Sequence, residues 1–378
     1  MMRPMRIADF ALERWFARWE FAVDHLLCAS DVEGYSMGRL LELADDETRA
    51  LWRDLRLGYT ESTGHPLLRA EIAELYEHVG PEGVLVFAGA EEAIFCLVNV
   101  LIGPGDHSVV TWPGYQSLYE VARAAGGDVT LHELHEVDGW RLDIERLVRE
   151  LRRETRLVVV NAPHNPTGML PTHHEWARLT DVLADRRITL LADEVYRFLE
   201  YDERDRLLPG ADAYAGGVSL GVMSKSFAMA GLRIGWLATR DESLLAKCAA
   251  FKDYTTICSS APSEILALIA LRARQQVLGR SLRIVHDNLE VLDDFFRRRG
   301  DTFSWVRPRA GSVGFPHLLR AESIDALSAR LVEREGVLLL PGSQFGHPGN
   351  HARFGFGRQD LPAAVARLEA FLDAGGSA

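Results

Sequence analysis

The chain has 378 residues, 54 acidic against 42 basic side chains, and a formal net charge of −12. Its length exceeds the roughly 250–300 residues at which a single core stops growing, so more than one folding unit is expected. The acidic balance argues against a duplex nucleic-acid partner, which needs a basic face, and no apolar run approaches the roughly 20 residues of a membrane span.

Met1, Met2, Arg3 and Pro4 open no apolar signal segment. Residues 10–28 carry Trp15, Phe16, Trp19, Val23, Leu26 and Leu27 at helical spacing. That pattern predicts an amphipathic helix whose aromatic stripe packs into a core or a subunit interface, with a ligand box as the lesser alternative. From about residue 65, short apolar runs alternate with helical patterns. Strands are expected over Val84–Phe87, His107–Thr111, Leu157–Asn161, Ile188–Ala192 and Val218–Met223. Helices are expected over Leu67–His78, Glu91–Leu101, Gln116–Ala125, Asp143–Glu154 and His174–Arg186. Strand and helix in alternation imply an α/β unit with a mostly parallel sheet between helices, and near-continuous apolarity fits strands buried on both faces.

After about Ile284 the rhythm changes. A long helix over Val285–Arg299 precedes strand-like segments at Phe303–Arg307 and Ser312–His317, then helices over Ile324–Glu333 and Leu361–Leu372. These read as a smaller α+β unit. The expected division is an N-terminal arm over 1–45, a large unit over 46–280 and a small unit over 281–378. Cys28, Cys96, Cys248 and Cys258 have no paired spacing, so reduced thiols in a cytoplasmic protein are expected.

Ligands of a parallel sheet bind beyond the carboxyl ends of its strands, and the five loops there are unusual. Gly89-Ala90-Glu91 lies between a strand and a helix, where free amides suit a phosphate but also an ordinary turn. Tyr115 follows a Pro-Gly turn and is placed either to stack on a planar ring or to pack a loop. In Asn161-Ala162-Pro163-His164-Asn165-Pro166-Thr167-Gly168, two prolines and a glycine fix Asn165 as a donor. Asp193, at a buried strand end, needs a cation, and Tyr196 is three residues on. Finally, Ser224-Lys225 follows a strand, and Arg233 stands between Gly231 and Gly235. A desolvated lysine forms Schiff bases, and a guanidinium fork suits a phosphate.

This succession, with Tyr59 ahead of it, resembles the class I/II aminotransferases of pyridoxal-phosphate (PLP) fold type I. The resemblance covers nearly the whole chain. It implies a large unit with a mostly parallel seven-stranded sheet, PLP as cofactor, and an L-amino acid and a 2-oxo acid as substrates. It also implies roles. Lys225 holds the cofactor as a Schiff base and shuttles the proton at Cα, and Asp193 pairs with the ring nitrogen. Asn165 and Tyr196 bind the phenolic oxygen, while Tyr115 lies on the ring face. Ser224, Arg233 and the amides of Gly89, Ala90 and Glu91 hold the phosphate. Tyr59 reaches the phosphate of a neighbouring subunit, so a homodimer is implied. Arg353, in His351-Ala352-Arg353-Phe354-Gly355, grips the substrate α-carboxylate.

Two positions depart from the family pattern. Val222 stands where a hydroxyl residue is common, and Glu91 where a Thr or Ser often caps the phosphate. Glu91 is therefore expected to offer its backbone N–H and turn its carboxylate away. Pro163-His164-Asn165-Pro166 and Lys252-Asp253-Tyr254 also resemble capreomycidine synthase. An elimination and cyclisation, or an oxidation, on an arginine-like amino acid is thus the alternative to transamination. Asp31, Glu33 and Glu61 are the candidate acids for a guanidinium. A nicotinamide fingerprint is missing, and His132-Glu133-Leu134-His135 has the wrong spacing for a zinc helix.

Overall fold

A computed structural model describes residues 7–374. Seven strands form the central sheet: β1 (Val84–Phe87), β2 (His107–Trp112), β3 (Asp128–Glu133), β4 (Thr155–Asn161), β5 (Thr189–Asp193), β6 (Gly217–Val222) and β7 (Gly235–Thr239). Their order is β1-β7-β6-β5-β4-β2-β3. The pairs among β3, β2, β4, β5 and β6 are parallel, and β7 runs antiparallel between β6 and β1. The expected five strands are present, and two were missed. β3 is an edge strand that is largely uncovered, so its residues alternate rather than forming an apolar run. β7 starts at Gly235, inside the segment read only as a phosphate motif.

Alternate side chains of β1, β4 and β5 enter opposite layers. Leu85, Phe87, Leu157, Val159 and Leu191 face the helices Ala90–Leu101 and Ser117–Ala124. Val84 and Val86 meet Pro66–Ala73 and Ala261–Arg272, while Val158, Val160 and Leu190 meet His173–Arg186. Each fully buried Val, Leu or Phe contributes about 1.5–3 kcal/mol, so these layers hold the strand ends rigidly. A further core gathers the helices Arg274–Arg298, Ile324–Glu335 and Leu361–Asp373, with Phe296 stacked on Trp305 at 4.3 Å.

The N-terminal expectation needs correction. Helix α1 covers only Ala11–Trp19, and the chain then turns so that His25 and Leu26 pair in parallel with Val337 and Leu338. The second half of the apolar stripe is thus spent on a strand pairing more than 300 residues away in sequence, which no local periodicity reports. The long helix also begins earlier than expected, at Arg274 rather than Val285.

Candidate active site

One cavity of about 380 Å³ opens at the carboxyl ends of β4, β5 and β6. Ala90, Glu91, Tyr115, Asn165, Asp193, Tyr196, Ser224, Lys225, Arg233 and Arg353 all line it. These ten expected site residues come from segments up to 263 positions apart, Ala90 to Arg353, and only the sheet brings them together. Gly89 adjoins it through Arg233. Tyr59 does not line it: it is 92% exposed and borders a separate surface hollow with Thr60, Glu61 and Glu264.

Parallel pairing puts Asn161 directly opposite Asp193. The Asn161 amide donates to the Asp193 carbonyl at 3.0 Å, and its oxygen accepts from the Asn165 backbone at 2.6 Å. Asn161, read only as part of the motif, is therefore the staple between the two strand ends. The loop beyond it is held by His164, whose Nδ1 meets the Thr167 hydroxyl at 2.9 Å. Burial lowers the His164 pKa to about 3, so this imidazole is a neutral strut.

Asp193 is 4% exposed, and one oxygen accepts from the Val195 amide at 3.3 Å. Burial raises its pKa to about 7, while Lys225 pulls the other way. A buried carboxyl in that state gains most from a neighbouring cation. The Tyr196 hydroxyl is buried among the described residues without a hydrogen-bond partner, a costly condition that a ligand oxygen relieves. Lys225 Nζ donates to Ser30 Oγ at 2.8 Å and lies 5.9 Å from the Tyr196 ring centroid. Ser30 was not expected; no local pattern links it to a lysine 195 positions away.

Arg233 adopts a left-handed conformation (φ 53°) and donates to the Ala230 carbonyl at 3.0 Å and the Ser224 hydroxyl at 3.4 Å. Gly89 has φ 95°, and a Cβ there would come within 2.4 Å of Arg233 Nη2. A Cβ on Gly235 would lie 2.8 Å from the Ala90 amide. The glycines thus let a helix start, a guanidinium and a strand meet at one point, an arrangement chemically suited to an anion. Gly89→Ala is expected to weaken cofactor retention about tenfold, from about 1–3 kcal/mol of backbone strain plus displacement of Arg233. Equilibrium dialysis of the holoenzyme checks this; wild-type retention would show that the loop and Arg233 are uncoupled.

The Glu91 carboxyl accepts from the Ser117 hydroxyl at 3.0 Å, and the residue lines the cavity. Burial raises its pKa to about 7. The folded chain therefore holds a proton on Glu91 that the unfolded chain has released, and stability falls as pH rises from about 4.5 through 7. Glu91→Gln removes that loss. The variant without cofactor is expected to gain about 1–3 kcal/mol over wild type at pH 8 and little at pH 4.5; melting curves at both pH values decide, and an equal shift at each would refute it.

Arg353 is 1% exposed. Its Nε and Nη2 donate to the Cys28 carbonyl at 3.1 and 2.8 Å, and its Nη1 to Asn165 Oδ1 at 3.1 Å. The guanidinium lies between the Phe16 and Phe345 rings, 5.7 and 5.6 Å from their centroids. Tyr115 donates to Glu13 at 2.8 Å.

Helix α1 supplies Leu12, Glu13 and Phe16 to the cavity, and Glu20 follows at its end. Packing was the favoured expectation for that stripe and a ligand box the lesser one, but Glu13 and Glu20 were not singled out, although the spacing of 13, 16 and 20 places these residues on one helical face. Of the three acids named for a guanidinium, Asp31 lines the cavity but is bound to Arg358 at 3.0 Å. Glu33 accepts from the Gln359 amide, and Glu61 belongs to the surface hollow. Lys252 and Tyr254 are also remote: Lys252 bonds the Ser62 carbonyl, and Tyr254 is exposed.

The donor set fits PLP: a lysine, a buried carboxylate, an unpaired tyrosine hydroxyl and an arginine in a glycine cradle share one cavity. Residues 26–368 match the family model of aminotransferase class I and II. The chain is 30% identical to capreomycidine synthase of Streptomyces vinaceus over 370 residues, 97% of this chain and 94% of that one. It is 27% identical to an aspartate aminotransferase of Sulfurisphaera tokodaii over 334 residues, 84% and 82% of the two chains. A PLP-dependent aminotransferase structure from Streptococcus suis superposes with a TM-score of 0.92 at 27% identity, covering 98% of this chain and 99% of that one.

Proposed function

The chain belongs to the class I and II aminotransferases, enzymes that depend on PLP, and from that premise we propose that it moves an amino group between an L-amino acid and a 2-oxo acid. The observation that carries this reading is Lys225 and Arg353 in one cavity, a reactive amine and a carboxylate fork. When bound, the cofactor supplies an electron sink for the pair left at Cα as its hydrogen departs. Lys225 Nζ would attach the cofactor and carry the proton at Cα. Asp193 would pair with the ring nitrogen, and Asn165 and Tyr196 would bind the phenolic oxygen. Tyr115 would lie beside the ring face. Ser224, Arg233 and the Gly89, Ala90 and Glu91 amides would hold the phosphate. Arg353 fixes the α-carboxylate.

The exposed Tyr59, away from its own chain's cavity, supports a homodimer in which it completes the neighbouring site. The separate apolar core among the C-terminal helices supports a small unit over 281–378 beside a large one over 46–280, with residues 1–45 as an arm. A cytoplasmic location fits the four free thiols. Among the described residues no helix is long and apolar enough to cross a membrane.

The test is to mix holoenzyme with amino acids, following the cofactor absorbance and the products. Conversion to the aminated cofactor with one equivalent of 2-oxo acid and no ammonia supports transamination. A second reading, elimination with cyclisation or oxidation, draws on the capreomycidine synthase likeness spanning 97% of this chain. Loss of water or consumption of oxygen, with the cofactor returning to its starting form, would establish that reading instead.

A further inference from the structure

The cavity holds more acid than the cofactor and the substrate backbone use. Glu13, Glu20, Asp31, Glu91 and Asp193 face Lys225, Arg233 and Arg353 across it. Each cation has a task in the proposed function: the amine for Lys225, the phosphate for Arg233, the α-carboxylate for Arg353. Among the acids, Asp193 serves the ring nitrogen, Asp31 is bound to Arg358, and Glu91 to Ser117. Glu13 and Glu20 remain. Among the described residues neither has a Lys, Arg or His within ion-pair distance; Glu13 accepts only the Tyr115 hydroxyl, at 2.8 Å. Both reach the cavity from the N-terminal helix and its end, with Phe16 between them, and Phe16 also stacks near Arg353.

Burial raises the Glu20 pKa, and Asp31 and Glu13 push it the same way against the weaker opposing pull of Arg358 and Lys225. A half-buried carboxylate with like-charged neighbours is stabilised by whatever cation enters. The orphaned Tyr196 hydroxyl, assigned above to the cofactor, marks this cavity as a ligand site, and Glu13 and Glu20 line the same cavity.

We propose that Glu13 and Glu20 select an L-amino acid whose side chain ends in a cation, a guanidinium or an ammonium. The inference rests on the roles of Lys225 and Arg353 above, which fix the amine and carboxylate ends and send the side chain toward the N-terminal helix. A dicarboxylic amino acid meets no spare cation there and faces repulsion from both glutamates. A neutral side chain leaves them desolvated and unpaired.

The experiment titrates holoenzyme with L-arginine, L-ornithine, L-norleucine and L-aspartate, reading cofactor absorbance and 2-oxo acid separately. One cationic donor or both are expected to half-saturate about 10–100-fold below norleucine, the fold-change of a charge-assisted hydrogen-bonded pair. Glu20→Gln and Glu13→Gln are each expected to cut that preference about tenfold, and Glu20→Asp to retain part of it. A merely structural role would weaken all donors alike and leave the ratio unmoved, which overturns the proposal. Preference for norleucine or aspartate overturns it too, even if 2-oxo acid forms and transamination stands. Conversely, an absorbance change with cationic donors alone and no 2-oxo acid supports the substrate class while removing transamination.

Discussion

Lys225→Ala is expected to lower turnover by about 10³-fold or more, because the proposed function has one side chain both attach the cofactor and move the proton at Cα. The structure gives the amine a single local partner, Ser30 Oγ at 2.8 Å, and no carboxylate within ion-pair distance among the described residues. An amine so placed, over the Tyr196 ring and beside buried Asp193, is available for covalent chemistry rather than locked in a salt bridge. Borohydride treatment of the wild-type holoenzyme, followed by peptide mass analysis, is expected to find the reduced adduct on Lys225 and on no other lysine. Lys225→Arg keeps the charge without a Schiff-base amine, so it is expected to be as inactive as the alanine variant. An adduct elsewhere, or activity in either variant near wild type, would overturn the assignment.

Arg353→Ala is expected to raise the half-saturating amino-acid concentration about 10²–10³-fold, since truncating one partner of a buried charge pair costs about 2–5 kcal/mol. Its fork is preorganised by three protein hydrogen bonds, to the Cys28 carbonyl twice and to Asn165 once. Removal also orphans the acceptors, so the melting temperature should fall, which by itself would not reveal a binding role. The discriminating measurement compares each amino acid with the amine that lacks its carboxylate. Wild type should prefer the acid strongly, and the variant should treat both alike. Arg353→Lys should recover only part of the preference, because an ammonium cannot bind both carboxylate oxygens in the same plane. A preference for the acid that survives in Arg353→Ala would place the carboxylate elsewhere.

The chain's own order of residues determined much of this. Apolar runs of strand length, closed by Gly89, Tyr115, Asn165, Asp193 and Lys225, located five of the seven strands and put the chemistry at their carboxyl ends. That was legible because these five strands, edge strand β1 included, are buried on nearly all their residues and so are apolar along most of their length. Edge strand β3 and antiparallel β7 lack that requirement or hide it in a glycine motif, and both were missed. What only the tertiary structure decided is which surface closes the cavity. Glu13, Phe16, Glu20 and Ser30 reach it because α1 stops at Trp19 and the following segment pairs with Val337–Leu338. The acids suggested from sequence at Glu33 and Glu61 lie elsewhere, Glu33 on the Gln359 amide and Glu61 at the surface hollow. Local periodicity names a helical face, but the partner of that face is chosen by long-range packing. In this chain, cofactor chemistry follows from short motifs at strand ends, and side-chain selectivity from a distant segment folded over them.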